Sequence, residues 1–357
     1  MARKPNVIVC WPNDWVRPII FPPEQVERLN AISQCTWNPH GRQYTPDELR
    51  DGLAGIEICV TGWGTPKLDE NVLSKAGALK LVMHTAGSIG SIASEALYDR
   101  SIPISSSNDV MARQVAECNI MLTLMALRRA RQFIDPMHAP TGQYQWLNYY
   151  KSGLKATPMC KAVIGIIGLG AIARWYIEFL KPMGPRILLF SRHSKPDEAA
   201  RLGVELVDLD TLLKTSDVVN VLSGMTQETY HMLNAERLAT MKDGASLINV
   251  GRGAIIDEPA LVEELKKGRI YALLDVYEVE PLPESSPLRG LPHTTLLPHI
   301  AGAGNEGDYS RFGNDEIERY LAGQPLQGLV SRGQWQNMTQ AILVDTISKQ
   351  RGGKKLV

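Results

Sequence analysis

An α/β fold built from two parallel-sheet domains is predicted by three observations. Short apolar strands alternate with helical stretches along the chain, with no internal repeat and no low-complexity tract. At 357 residues the chain is too long for one comfortable core. And VIGIIGLGAIA, from Val163 to Ala173, is an apolar strand that runs straight into Gly168, Gly170 and a small Ala173 before an apolar helix. A strand, a Gly-x-Gly-x-x-Gly/Ala turn and a helix form the phosphate-binding turn of a dinucleotide site.

The first 110 or so residues read as a small α/β unit. Strands are expected at Val7–Cys10, Ile56–Thr61, Leu79–His84 and Ile102–Ser105, with a helix over Pro23–Ile32. Arg113–Gln132 reads as a long helix rich in Ala, Leu and Met, and Thr141–Lys161 as an extended arm or loop. From Val163 the alternation is sustained, with strands at Val163–Ile167, Arg186–Phe190, Val218–Leu222, Ser246–Asn249, Ala272–Val276 and Thr295–Leu297. Their apolar character suits parallel strands covered by helices on both faces. Helices are expected at Asn234–Ala239, Glu258–Lys267 and Asn305–Ala322, with Asp257 capping the second of these.

Composition excludes some functions. The 38 basic and 38 acidic side chains cancel, so no strong field points to nucleic acid or an anionic membrane. Cys10, Cys35, Cys59, Cys118 and Cys160 are scattered, odd in number and without metal-ligand spacing, as free thiols in a reducing compartment would be. No signal peptide and no apolar span of membrane length is read, so a cytoplasmic enzyme is expected.

The turn assigns backbone roles. Gly168 permits the tight turn, Gly170 lets the backbone approach a pyrophosphate, and Leu169, Ala171 and Ile172 complete the loop and helix N-terminus facing it. The next strand, Arg186–Phe190, is followed by Ser191, Arg192, His193, Ser194 and Lys195, and no carboxylate appears until Asp197. An acid there would bind ribose hydroxyls and repel a 2′-phosphate, whereas a hydroxyl followed by cations would accept it. NADP(H) is therefore favoured over NAD(H); a solvated basic loop is the alternative.

Three polar residues stand at predicted strand ends, where open parallel sheets place ligands. Arg252 lies in INVGRGAIIDEPAL, Glu280 in LLDVYEVEP and His299 in LLPHIAG. Hydride transfer to a carbonyl needs a proton donor on the oxygen and a cation for the substrate's charge. Histidine suits reversible proton exchange near neutrality, a carboxylate beside it orients the ring, and arginine grips carboxylates bidentately. Spacing alone does not bring the three together: a capping histidine and a solvated glutamate fit the same residues.

With these segments in this order and separation, the chain resembles the D-isomer-specific 2-hydroxyacid dehydrogenases over nearly all its length. The resemblance implies a Rossmann nucleotide-binding domain, residues 113–305, inserted in a flavodoxin-like substrate domain, residues 1–112 and 306–345, with 346–357 a flexible tail. It makes Arg252 the binder of a 2-oxo acid carboxylate, His299 the acid/base and Glu280 its partner, and places Asp275 on the nicotinamide side. In HTAGSIGSI it assigns Ser88, Ile89 and Gly90 to a backbone nest for the substrate carboxylate. It also implies an active site in the interdomain cleft and a homodimer, for which the long helix and the aromatic segment Gln143–Tyr150 are candidate surfaces.

Two departures bear on substrate. Where the phosphoglycerate enzymes of the family present basic side chains, this chain has Thr61, Gly62, Trp63 and Gly64; Trp63 is either core or a pocket wall favouring a compact substrate. Leu297–Pro298 before His299 argues against the formate-oxidising relatives. With Ser191–Arg192 in place of an acid, an NADPH-linked glyoxylate or hydroxypyruvate reductase is the expectation. The alternative is a nucleotide-sensing, corepressor-like protein of the same fold.

Overall fold

The computed structural model describes residues 3–138 and 146–338, with only the backbone given for 146–148. The expected tail 346–357 and the start of the aromatic segment, 143–145, lie outside these residues. Two compact units result: 3–112 joined by 303–338, and 113–302.

The first unit holds five parallel strands: β1 (Asn6–Val9), β2 (Gln34–Trp37), β3 (Ile58–Thr61), β4 (Leu81–His84) and β5 (Ile104–Ser106), in the order β2-β1-β3-β4-β5. This is the flavodoxin-like order that the fold class implied. Strands β3 and β4 are buried throughout, as a two-faced sheet requires. One face packs Leu49, Leu73, Leu97 and Ile104; the other packs Trp11, Leu29, Met83, Tyr309 and Ile317. The last two come from the helix Gly307–Leu321, which Arg28 also ties down through Glu318 and Asp315.

Strand β2 was not anticipated. It is a polar edge strand whose side chains alternate between exposed and half-buried, and only pairing with β1 makes it a strand.

The second unit holds seven parallel strands: β6 (Val163–Ile167), β7 (Arg186–Phe190), β8 (Glu205–Leu206), β9 (Val218–Val221), β10 (Ser246–Asn249), β11 (Tyr271–Leu274) and β12 (Thr294–Leu296). Their order, β12-β11-β10-β9-β6-β7-β8, is doubly wound, with its switch point between β6 and β9. Ligands bind outside the strand ends at such a point, and the glycine turn leaves β6 there.

The long helix differs from expectation. It runs Asn108–Arg128, breaks at Arg129, and resumes as Ala130–His138. Arg129 takes a left-handed φ of 53°, held by its guanidinium over the Tyr271 ring (4.2 Å) and its bond to Ser246 Oγ (3.1 Å). Asn108–Arg128 also corrects the reading that no apolar span is long enough for a membrane: its length and a mean hydropathy of 1.2 suffice. Its apolar content serves packing in part, since Leu122, Ala126 and Leu127 are buried. Within the expected arm, Trp146–Lys151 is a short helix, and the Tyr149 ring lies against Phe133.

Candidate active site

At the switch point, Gly168 has φ 94°, and a Cβ there would lie 2.7 Å from Ser223 Cβ. Only glycine lets the β6 and β9 loops meet this closely. Gly170 begins the helix Ala171–Leu180, and a Cβ on it would meet nothing within 4 Å. That open side leaves room for a pyrophosphate over the helix N-terminus, where no side chain caps the first N–H groups. Leu169, Ala171 and Ile172 are half-buried around the turn, and Ala173 is fully buried beneath it. Ser223 was not singled out from sequence. Its hydroxyl is buried without a partner among the described residues, beside the glycine turn. The residues present therefore fit a dinucleotide.

After β7, Ser191 is half-buried and accepts a bond from Ser194 Oγ (2.8 Å), while Arg192, His193 and Lys195 are exposed. Glu228 stands 3.9 Å from Arg192, at the outer side of the loop. The basic stretch thus presents exposed cationic donors beside two hydroxyls, a surface able to take a phosphate monoester.

The three candidate catalytic residues occupy successive strand-end loops of this same sheet. Arg252 follows β10 between two glycines that packing demands: a Cβ at Gly251 would lie 2.9 Å from the Val221 carbonyl, and one at Gly253 would overlap the Tyr277 carbonyl. Asn249, fully buried, accepts from Gly251 N and donates to Arg252 O, both at 3.0 Å, fixing the turn. Burial lowers the Arg252 pKa while the charge of Glu280 opposes that shift, so the two sense each other.

His299 and Glu280 meet directly. Glu280 Oε2 lies 2.6 Å from His299 Nδ1, and Glu280 Oε1 accepts from Tyr277 N at 3.0 Å. With Nδ1 committed to a carboxylate, Nε2 is the nitrogen left for proton exchange. The imidazole is half-exposed, as a group that must reach a substrate needs to be.

His299 itself has φ 58°, which costs a non-glycine residue about 1–2 kcal/mol. Asp275 holds it there. This carboxylate, 1% exposed, accepts from Ile300 N (2.8 Å) and Ala301 N (2.9 Å). Two bonds to a charged acceptor, each worth about 1.5–3 kcal/mol, outweigh that strain. The resemblance places Asp275 on the nicotinamide side; its side-chain hydrogen bonds in this structure go to the histidine loop. Tyr277 adds a strut from its hydroxyl to the Leu297 carbonyl (2.8 Å).

In the first unit the proposed nest lies past β4. Ile89 is fully buried in the core, and Gly90 N donates to Ser88 Oγ (3.2 Å). Among the described residues, Ser88 N and Ile89 N have no protein acceptor, so two of the three N–H groups remain for an anion. Trp63 is 41% exposed and edge-on to Trp11 at 5.4 Å. It is therefore a surface side chain and not part of the core. A Cβ at Gly62 would overlap the Trp11 ring, so glycine is what allows Trp63 to be presented there. Next to it His84 is buried, donating or accepting with Thr61 Oγ1 at 2.9 Å, and burial pushes its pKa down to about 3.

Known proteins match this architecture. The sequence profile described as "D-isomer specific 2-hydroxyacid dehydrogenase, NAD binding domain" matches residues 120–301. A glyoxylate/hydroxypyruvate reductase B of Serratia proteamaculans is 33% identical over 292 residues, 80% of this chain and 85% of its own. A glyoxylate reductase of Thermofilum pendens is 36% identical over 244 residues, covering 67% and 70%. Among solved structures, a D-isomer specific 2-hydroxyacid dehydrogenase from Xanthobacter autotrophicus Py2, in complex with NADPH and MES, superposes with a TM-score of 0.71 at 24% identity, covering 93% of this chain and all of that one.

Proposed function

The chain belongs to the D-isomer-specific 2-hydroxyacid dehydrogenase family, enzymes that interconvert 2-oxo and 2-hydroxy acids with NAD(P)(H), and on that premise we propose that it reduces glyoxylate or hydroxypyruvate with NADPH. The observation that carries this reading is the 2.6 Å His299–Glu280 pair beside Arg252, on strand ends shared with the glycine turn.

The Gly168–Gly170 turn and the helix after it would hold a nicotinamide dinucleotide, which when bound would supply the hydride. Arg252 grips the substrate carboxylate and polarises the adjacent carbonyl. His299 Nε2 delivers a proton to the carbonyl oxygen, and Glu280 holds the ring and offsets its charge. Asp275 keeps the histidine loop in register. Ser88, Ile89 and Gly90 would offer backbone N–H groups to the carboxylate, and Trp63 would limit the size of the group on C2.

Preference for NADPH is supported by Ser191, Arg192, His193 and Lys195 in place of an acid. NADPH is also the cofactor bound in the Xanthobacter relative. The curated relatives named above carry the two substrates in their names. We further propose a homodimer, on the exposed apolar side chains Met121, Leu124, Ile134, Met137 and Tyr150 along the helices between the units' sheets in sequence.

The test is oxidation of NADPH and NADH in parallel with glyoxylate, hydroxypyruvate, pyruvate and phenylpyruvate. Turnover of the two short substrates with NADPH supports the proposal. NADH-only turnover overturns the cofactor assignment. Tight cofactor binding without turnover of any 2-oxo acid would favour a nucleotide sensor instead.

A further inference from the structure

A second histidine–carboxylate cluster lies behind the first. His231 Nε2 is hydrogen-bonded to Glu278 Oε1, its Nδ1 is 3.8 Å from Asp257 Oδ2, and the Tyr230 ring stacks on it at 4.0 Å. The mechanism above uses none of these residues. Glu278 is 2% exposed, so its carboxylate depends on protein donors: the His231 ring at Oε1 is one. His231 also has a left-handed φ of 48°, a conformation that persists only where the surroundings impose it.

The cluster's place in the chain gives it meaning. His231 N donates to Ala254 O (2.9 Å) and Leu233 N to Ile255 O (3.0 Å), stitching residues 231–233 to the segment directly after Arg252. Its ring meanwhile holds Glu278, two residues before Glu280. Glu278 N donates to Glu258 Oε2 (3.2 Å), on the helix that Asp257 caps. His231 therefore touches, by backbone and by ring, the two loops that carry Arg252 and Glu280.

Resting on the dehydrogenase reading above, we propose that His231, clamped to Glu278, is a positioning residue that sets Glu280, and through it His299, against Arg252. It touches no substrate. Its loss displaces a general acid by a fraction of an ångström to an ångström, a shift that costs turnover far more than binding.

The test compares His231→Ala, His231→Gln and Glu278→Gln in the full chain, with NADPH and glyoxylate as probes. Gln reaches Glu278 with an N–H as Nε2 does. His231→Ala is expected to lower kcat about tenfold or more, with KM and cofactor Kd within about twofold, and Gln to recover most of the loss. In histidine-labelled protein, the His299 ring resonances of His231→Ala should move to where Glu280→Gln puts them. A folded His231→Ala with unchanged kcat and unchanged His299 resonances overturns the proposal. So does a loss in which kcat and melting temperature fall while KM rises, and Gln is no better than Ala. If His231→Ala does not fold, Glu278→Gln is read by the same two criteria. Should the unmodified chain turn over no 2-oxo acid, the dehydrogenase reading fails separately, and the His299 resonances alone decide the positioning role.

Discussion

Replacing Asp275 by Ala separates catalytic geometry from stability. The substitution removes two charge-assisted bonds, to Ile300 N and Ala301 N, worth together about 3–6 kcal/mol. Relaxation of His299 from its left-handed φ returns about 1–2 kcal/mol. The net loss is about 1–5 kcal/mol, or roughly 2–20 °C in melting temperature for a unit of this size. The effect on turnover is larger, because Glu280 then holds a ring whose own loop has lost two anchors, and a displacement near 1 Å costs on the order of a hundredfold. Steady-state kinetics, cofactor titration by fluorescence and a thermal melt should therefore show kcat down about a hundredfold or more, cofactor Kd changed little and a modest drop in melting temperature. A variant with ordinary kcat but weakened cofactor binding would refute this argument and return Asp275 to the role of a nicotinamide contact.

Removing the acid itself, His299→Ala, should cut kcat by about 10²–10⁴ in the same assay while cofactor Kd stays within about twofold. Arg192→Ala is expected to raise KM for NADPH about tenfold, the lower end for an exposed charge-assisted contact, and to leave KM for NADH unchanged. Gly253→Ala forces a Cβ into the Tyr277 carbonyl; kcat/KM should fall with a destabilisation of about 1–3 kcal/mol, read by urea unfolding. His84 gives a pH signature. Its folded pKa of about 3 lies below the unfolded value near 6.5, so the unfolded chain binds the extra proton between them. Stability of the first unit is full above pH 6.5 and declines by up to about 1.4 kcal/mol per pH unit on acidification toward 3; His84→Gln should flatten that slope in urea titrations.

The chain disclosed its buried parallel strands well because their signal is local. Val163–Ile167, Arg186–Phe190 and Ser246–Asn249 are apolar runs bounded by polar or turn residues, and they are strands to the residue. Strands β2 and β8 carry no such signal, since an edge strand is defined by a neighbour far away in sequence. The break at Arg129 was equally illegible: a good helix former is pulled out of line by Ser246 and Tyr271, more than a hundred residues on. The same division runs through the site. Arg252, Glu280 and His299 stood out by residue type at strand ends, and the last two are in contact in the folded chain. What surrounds them was invisible, because Asn249, Ser223, His231 and the backbone contacts of Asp275 look ordinary until the loops are brought together.

The discontinuity of the first unit has a consequence during synthesis. One face of its sheet is closed by Tyr309 and Ile317, and Glu316 accepts from Ser105 Oγ (2.6 Å), Gln327 N and Gly328 N. Except for Ser105, all of these lie on the far side of the 113–302 unit in sequence. As the chain leaves the ribosome, the contiguous unit can collapse on its own residues, while β1–β5 wait with Leu81, Met83 and Trp11 uncovered. Contacts spanning up to 290 residues, such as Arg28 with Glu318, must form last and close slowly. The nascent chain therefore passes through a stage in which the nucleotide-binding half is folded and the substrate-binding half is sticky, the stage at which a chaperone would have most to protect.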